Sequence, residues 1–546
     1  MKRAIVLLTL SLLLLGTTVA TAQDFFAERE FVRINTRDVT ERDIVADMGF
    51  AIDYVNLEAG WVAAWVPKKQ IPQIERLGII VEPLESKDTM PPNYGPYHDY
   101  QEQVEAVQEM AATYPEITDL YTIGQSIGGQ DLWCLKISDN PLQDELDESA
   151  IIVVALHHAR EILTPEMALY AAQQLVEGYG VDEEITYYVE NREIFVIPTL
   201  NPDGGEYDHA TGNFRMWRKN RRVNEGSSCR GVDLNRNYGY LWGGVGSSAS
   251  PCADTYRGAE AFSEPESRAL RDFTRAHENV RTLLTLHTHA KLVLYPWGNQ
   301  SQHIDDQIDF LTHKTMAEYM ASILKYSPGQ ASSLYRTTGD TTDWSYGELG
   351  IVSFTWEMAP SQYDITGFYP PPSIMETELP RGWNALRIML NYTREPSLIL
   401  ATDPWKLTAE ATEDAVTVEW ATLVETNAKG YKLLRADEGS GNFEPLHDGL
   451  IQTDKGDYLF VDENVEPGAS YEYLLTFKGT NNNDVEFDPI AVTIPGSTDD
   501  DVSDDDAIDD DTAADDDTAG DDDAAGNDDA DADDDDDDDD DGGCGC

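Results

Sequence analysis

An α/β body flanked by smaller units is the architecture this sequence predicts, on three observations. Between residues 97 and 395, apolar runs alternate with amphipathic helical segments such as YQEQVEAVQEMAATYP. Such runs are strands buried on both faces of a mostly parallel sheet. After Pro396 the chain turns to short alternating strands separated by turn residues, AVTVEWAT, GYKLLRA, DYLFVD, SYEYLLTFK and PIAVTI, the pattern of a β-sandwich. Charge is also unevenly placed: of a formal net −64, 27 charges are aspartates between Asp499 and Asp541, a stretch without Lys or Arg.

Residues 1–22 pair a Lys2-Arg3 start with an apolar Ala4–Leu15 core and an Ala20-Thr21-Ala22 end, the pattern of a secretory signal peptide cut after Ala22. Residues 23–95 form a small propeptide-like α/β unit and linker: FAIDYVNLEAGWVAAWVP alternates like a hairpin, KKQIPQIERLG is helical, IIVEPL returns to strand, and MPPNYGPY is Pro-rich. In the body, IIVVALHH (151–158), EIFVIPTLN (193–201), LLTLHTH (283–289) and VSFTWE (352–357) stay apolar until they end at a polar residue. Those endings include His158, Asn201, His287 and Glu357, and open α/β sheets bind ligands beyond the carboxyl ends of their strands. Residues 404–496 read as a fibronectin type III-like sandwich with no catalytic cluster, a spacer or docking module. Residues 497–546 lack the apolar content for a core, so a disordered Asp-rich tail ending in GGCGC is expected.

No apolar run beyond the leader reaches the roughly 20 residues that span a bilayer, so an exported, extracellular chain is expected, with the GGCGC end available for cell-surface attachment. Without the tail aspartates the net charge is still −37, which argues against nucleic acid as partner. The tail carboxylates would associate weakly with Ca²⁺, since they lack the ordered positions of an EF-hand loop. Of five cysteines, Cys229 and Cys252 bracket a Gly/Ser/Asn-rich loop and are the natural disulfide, while Cys134 in LWCLKI reads as a buried thiol.

HHARE (157–161) offers a metal-ligand spacing: His158 and Glu161, three apart where a strand turns into a helix, can face one ion, whereas the residue three beyond His157 is Arg160. Random loops match so short a pattern often. A hydrolytic zinc site takes three protein ligands, and His287 supplies the third from a distant strand.

With NPDGGE (201–206), FRMWRKNRR (214–222), GVDLNRNY (231–238), LHTHAKLVLYPWG (286–298), YRTTGDTTDWSY (335–346) and SFTWEM (353–358), HHARE follows the order and spacing of motifs in the M14 metallocarboxypeptidases. The chain resembles that carboxypeptidase A/B-like family over residues 97–395. The resemblance implies a carboxypeptidase-like eight-stranded mixed sheet with helices on both faces, one Zn²⁺, and hydrolysis of the C-terminal bond of peptides by a monomer. It makes His158, Glu161 and His287 the zinc ligands and Asp233 the carboxylate orienting His158. Glu357 matches the general base acting on the attacking water, and Arg218 the group facing the developing oxyanion. Asn235 and Arg236 match the clamp on the terminal carboxylate, Tyr335 the phenol that closes over it, and Arg160 a subsite contact. Where the family places an apolar residue or Asp, this chain has Thr342, with Asp340 two residues earlier. That pocket predicts acceptance of both hydrophobic and basic C-terminal residues.

His289 is expected as a wall beside the metal, His157 as a packing residue, and Arg215, Lys219, Arg221 and Arg222 as solvated surface cations. Two other functions fit the same motifs: a peptidoglycan-stem amidase of the same superfamily, and a catalytically dead surface-binding protein. The intact ligand set weighs against the second.

Overall fold

A computed structural model describes residues 27–85, 95–209, 214–361, 367–397, 399, 406–421, 428–452, 457–479, 484–487 and 489–496. The expected leader, most of the Pro-rich linker and the Asp-rich tail with GGCGC lie outside these residues.

The N-terminal unit has strands β1 (Arg29–Asn35), β2 (Tyr54–Asn56), β3 (Trp61–Pro67) and β4 (Val81–Pro83), with helices α1 (Val39–Ala46) and α2 (Ile71–Arg76). Its sheet order is β2-β3-β1-β4. Alternate residues Val32, Ile34, Val62, Ala64 and Val66 fill a small core with Val45, Phe50 and Ile74, as a half-buried antiparallel sheet requires.

The body is built on β5 (Thr118–Gln125), β6 (Asp131–Ile137), β7 (Ser149–Val154), β8 (Arg192–Ile197), β9 (Val280–Thr288), β10 (Leu292–Tyr295), β11 (Ser327–Gln330) and β12 (Val352–Met358). Their order is β11-β10-β12-β9-β7-β8-β6-β5. The four apolar runs are the four central strands: β12, β9, β7 and β8 pair in parallel, and antiparallel pairs flank them. Helices α3 (Tyr100–Thr113), α4 (Leu163–Gly178), α5 (Glu183–Val189), α6 (Pro202–His209), α7 (Pro265–Ala276), α8 (Gln307–Leu324), α9 (Thr341–Leu349) and α10 (Met375–Tyr392) complete it. Successive β7 residues point into opposite cores. Ile151 and Val153 belong to one core with Leu163, Met167, Met320 and Leu386, whereas Ile152 and Val154 belong to the other with Leu270, Phe273 and Trp344. This two-sided burial is why β7 is continuously apolar.

Cys229 and Cys252 are disulfide-bonded and Cys134 is a buried thiol. Beyond the body, β13 (Lys406–Ala411), β14 (Val416–Ala421) and β17 (Asp457–Asp462) form one sheet. The second sheet comprises β15 (Ala428–Asp437), β16 (Glu444–Pro445), β18 (Ser470–Gly479), β19 (Asp484–Glu486) and β20 (Ile490–Thr493). Val418, Trp420, Tyr431, Leu433 and Tyr473 share one core. Among the described residues no helix is long and apolar enough to cross a membrane.

The N-terminal unit rests on the body through polar contacts. Arg29 pairs with Asp254 at 2.7 Å, Arg42 donates to the Ser333 carbonyl at 3.0 Å, Asp43 accepts from Arg336 N at 2.7 Å, and Asp47 accepts from Gly246 N at 2.7 Å.

Candidate metal centre and active site

Where β7 ends, the chain turns sharply and re-enters α4. Leu156 has φ 53°, and the Thr164 hydroxyl ties the turn by accepting from Leu156 N (3.1 Å) and donating to Glu161 O (2.8 Å). His158 and Glu161 thereby face His287, which β9 delivers in register with Glu357 of the parallel neighbour β12. His158, Glu161 and His287 are all buried. Glu161 Oε1 lies 2.8 Å from His158 Nδ1, Glu161 Oε2 lies 3.0 Å from His287 Nδ1, and the two Nδ1 atoms are 3.1 Å apart.

Asp233, at the start of a short 3₁₀ turn, Leu234–Arg236, receives His158 Nε2 on Oδ1 at 3.1 Å and Arg218 Nε on Oδ2 at 2.9 Å. With the His158 proton on Nε2, its Nδ1 lone pair faces a second imidazole and a carboxylate. Such a group of acceptors is stable around a cation, and two imidazoles with one carboxylate suit zinc. Burial raises the Glu161 pKa, but the two facing histidines outweigh it and hold this carboxyl below its ordinary range. Burial likewise opposes ionisation of Asp233, and Arg218 with His158 brings it well below the usual value.

A cavity of about 370 Å³ opens on this group, and its lining includes His158, Glu161, Arg218, Asn235, Arg236, Tyr335 and Glu357. Glu357 is pushed well above the ordinary carboxylate range by burial and by Glu161, against the pull of Arg218, Arg236 and Arg160. Arg236 is braced on the Gly246 and Asn235 carbonyls at 3.0 and 2.7 Å. Asn235 Oδ1 accepts from Thr341 N at 2.9 Å, which locks this amide to the start of α9.

A family model described as zinc carboxypeptidase, Peptidase_M14, matches residues 104–385. The chain belongs to the M14 zinc carboxypeptidases. The zinc carboxypeptidase of Saccharothrix mutabilis subsp. capreolus is 36% identical over 331 residues, 59% of this chain and 75% of that protein. Carboxypeptidase A1 of Rattus norvegicus is 32% identical over 306 residues, 55% of this chain and 71% of that one. The crystal structure of carboxypeptidase A from Helicoverpa armigera aligns with a TM-score of 0.58 at 25% identity, covering 67% of this chain and 98% of that one.

In this carboxypeptidase several side chains sit differently from expectation. Asp340 does not line the 370 Å³ cavity. Its carboxylate caps α9, accepting from Asp343 N (2.8 Å), Thr342 Oγ1 (3.1 Å) and Thr337 Oγ1 (3.2 Å), because a short acceptor before a helix satisfies its orphan N–H groups. Thr342 is likewise buried behind the lining. Arg160 lines the cavity but is paired with Asp53 of the N-terminal unit at 2.7 Å and lies over the Phe368 ring at 3.8 Å. Asn201 stays behind the rim, donating to the His157 carbonyl at 3.0 Å.

The four cations expected on the surface are anchored. Arg215 and Lys219 are buried. Lys219 donates to Pro251 O and Ala253 O, and burial pulls its pKa down to about 8. Arg222 pairs with buried Glu264 at 2.6 Å, and Arg221 stacks on Tyr207 and Trp217. His157 packs within hydrogen-bonding distance of Tyr238 and Thr285, at 2.9 and 3.2 Å. His289 lines the cavity edge-on to Phe368.

Two contributors escaped the sequence reading. Thr285 lies 3.1 Å from His287 Nε2, two residues back on the same strand face, and the period-2 alternation could have found it. Asp53 is far away in sequence, in a segment without a motif.

Proposed function

We propose that this carboxypeptidase removes single residues from peptide C-termini with Glu357 as general base, and that the described N-terminal unit covers the site until it is removed. The observation that carries the first part is the single cavity that joins the His158–Glu161–His287 group, Glu357 and the cationic set Arg218, Arg236 and Asn235. His158, Glu161 and His287 would hold the zinc, which supplies a Lewis acid that polarises a carbonyl and acidifies water. Arg236 and Asn235 receive the substrate's terminal carboxylate, with Tyr335 closing over it, and so place the last peptide bond at the cavity's centre. Glu357 accepts a proton from the attacking water and returns it to the leaving amine. Arg218, fixed by Asp233, stabilises the negative charge that develops on the carbonyl oxygen.

Mixed specificity is supported by one carboxylate behind the lining: a Cβ on Gly298 would lie 3.2 Å from Asp340 Oδ2. The expected leader implies export, and the two C-terminal sheets act as a spacer. Neither the peptidoglycan reading nor the dead-enzyme reading has an observation in its favour.

Blocked dipeptides ending in Phe and in Arg test the reading, with the full chain and with a form cut between residues 86 and 94. Release of both residues by the cut form, lost with a zinc chelator and in Glu357→Gln, is the expected result. Release of only one rejects mixed specificity, and release by Glu357→Gln at the wild-type rate rejects the assigned base.

A further inference from the structure

Behind the His158–Glu161–His287 group lies a layer of polar side chains closed to solvent. Thr285 of β9, His157 of the turn between β7 and α4, Tyr238, and Thr341 of α9 are all fully buried. Their contacts run from one side of the site to the other. Thr285 Oγ1 lies 3.1 Å from His287 Nε2 and 3.2 Å from His157 Nδ1. Across the His157 ring, Nε2 is 3.1 Å from Thr341 Oγ1 and 2.9 Å from the Tyr238 hydroxyl. Thr341 Oγ1 in turn lies 2.9 Å from Asn235 Oδ1. The path therefore begins at a metal-ligand candidate and ends at the amide proposed to receive the substrate's carboxylate.

The protons along it follow from one fixed point. Thr341 N is a main-chain donor, so Asn235 Oδ1, which it meets at 2.9 Å, is an acceptor. The Thr341 hydroxyl faces the same oxygen and directs its one proton there. Only lone pairs of Thr341 Oγ1 remain for His157, so His157 Nε2 carries a proton. Among the described residues the His157 ring is hydrogen-bonded to hydroxyl groups alone. A buried imidazole in such surroundings is neutral, which leaves its Nδ1 as an acceptor. Thr285 donates to that atom and, having no second proton, accepts from His287 Nε2. The His287 lone pair is thereby left on Nδ1, the atom 3.0 Å from Glu161 Oε2 and 3.1 Å from His158 Nδ1. The other His157 tautomer would set lone pair against lone pair at Thr341. It would also turn the Thr285 proton toward His287 Nε2 and put the His287 proton where a metal has to bind.

We infer that His157 is a positioning residue. It transmits the hydrogen-bond direction set by Asn235 and Thr341 to Thr285, and so holds His287 in the one tautomer that can ligate zinc. The inference rests on the zinc-ligand role given to His287 above. It makes the imidazole that precedes His158 more than a packing group, because an apolar ring of the same shape would fill the space and break the path. Thr341 is the telling member: its side chain hydrogen-bonds to His157 and Asn235 and to none of the three ligands.

The test is zinc affinity of the full chain at one pH, by competition with a chromophoric chelator. His157→Phe keeps a ring in place and cuts the path, so binding should weaken about 10–100-fold. His157→Asn, whose carboxamide oxygen replaces Nδ1 as acceptor for Thr285, should recover most of that loss. Thr341→Val should weaken zinc by at least about threefold in the wild-type background, as expected within one coupled network, and by nothing further in His157→Phe. Nitrogen correlation spectra of the zinc-free chain, with labelled histidine, should place the His157 proton on Nε2. Wild-type affinity in His157→Phe, additive losses in the double variant, or a His157 proton on Nδ1 would each overturn the inference. Should His157→Phe fail to fold, Thr341→Val and the spectra decide, and unchanged affinity in Thr341→Val rejects the relay. His287→Ala separates the two readings. If it binds zinc as wild type does, the ligand assignment fails; if it alone loses zinc, only the relay fails.

Discussion

Asp233 joins two functions in one carboxylate: Oδ1 fixes the tautomer of His158 and Oδ2 holds Arg218. An amide could still accept one of these bonds, but it would present an N–H where the other needs an acceptor. Asp233→Asn should therefore weaken zinc binding by about 10–100-fold, the usual effect of losing a ligand's supporting carboxylate, as measured by competition with a chromophoric chelator. Arg218→Ala separates the two functions. It leaves the His158 bond intact, so zinc affinity should stay near wild type while kcat falls by roughly 10²–10³-fold. A parallel loss of zinc would mean that Arg218 acts through the metal group rather than on substrate.

Arg218 is itself presented by a turn that α6 organises. Asp208, fully buried near the end of that helix, accepts from Arg215 N at 3.2 Å, Trp217 N at 2.7 Å and the Tyr369 hydroxyl at 2.8 Å. Within the turn Met216 takes φ 57°, an unusual conformation for a non-glycine residue. Asp208→Ala would orphan these donors and should cost about 3 kcal/mol in a urea titration. The same carboxyl gives a pH signature. Burial raises its pKa to about 6 from 3.8, so the folded chain holds the proton more tightly than the unfolded one. Its stabilising contribution is complete below pH 3.8 and is lost as pH rises through 6, and Asp208→Asn should remove that component from the pH dependence of the urea midpoint. The four central strands and the residues at their ends were legible in the sequence because two-sided burial leaves a continuous apolar run and a motif marks its end. The Asp208 turn was not, because what defines it is hydrogen bonding between a helix, a loop and Tyr369, 161 residues apart. The direction of Asp340 was not legible for a related reason. Its position within the motif is plain, but whether a carboxylate faces a pocket or caps a helix depends on a side-chain direction that spacing does not encode.

Across the whole chain, the N-terminal unit and the catalytic body meet at the residues proposed to bind substrate. Residues 52–58 contribute to the same cavity as Arg218, Asn235 and Arg236, while Arg42 and Asp43 grip the segment around Tyr335. Asp53 forms the innermost contact: it and Arg160 are 4% exposed at the side chain and 2.7 Å apart. Burial raises the Asp53 pKa and Arg160 opposes it, so the charged pair depends on both partners being present. Removing one partner from such a pair costs about 3–5 kcal/mol, since the other charge stays buried without compensation. In Asp53→Asn that cost falls only on the covered state, because Arg160 becomes hydrated once the unit lifts away. The uncut Asp53→Asn chain should therefore hydrolyse a C-terminal Phe substrate at least about tenfold faster than uncut wild type, a shift of about 1.4 kcal/mol in the covering equilibrium. The two proteins should be equal in kcat/KM once residues up to 95 are cut away. If the uncut forms are also equal, docking rests on Arg29–Asp254 and the α1 contacts instead. If the cut forms differ, contrary to expectation, Asp53 affects the body's own folding rather than its cover.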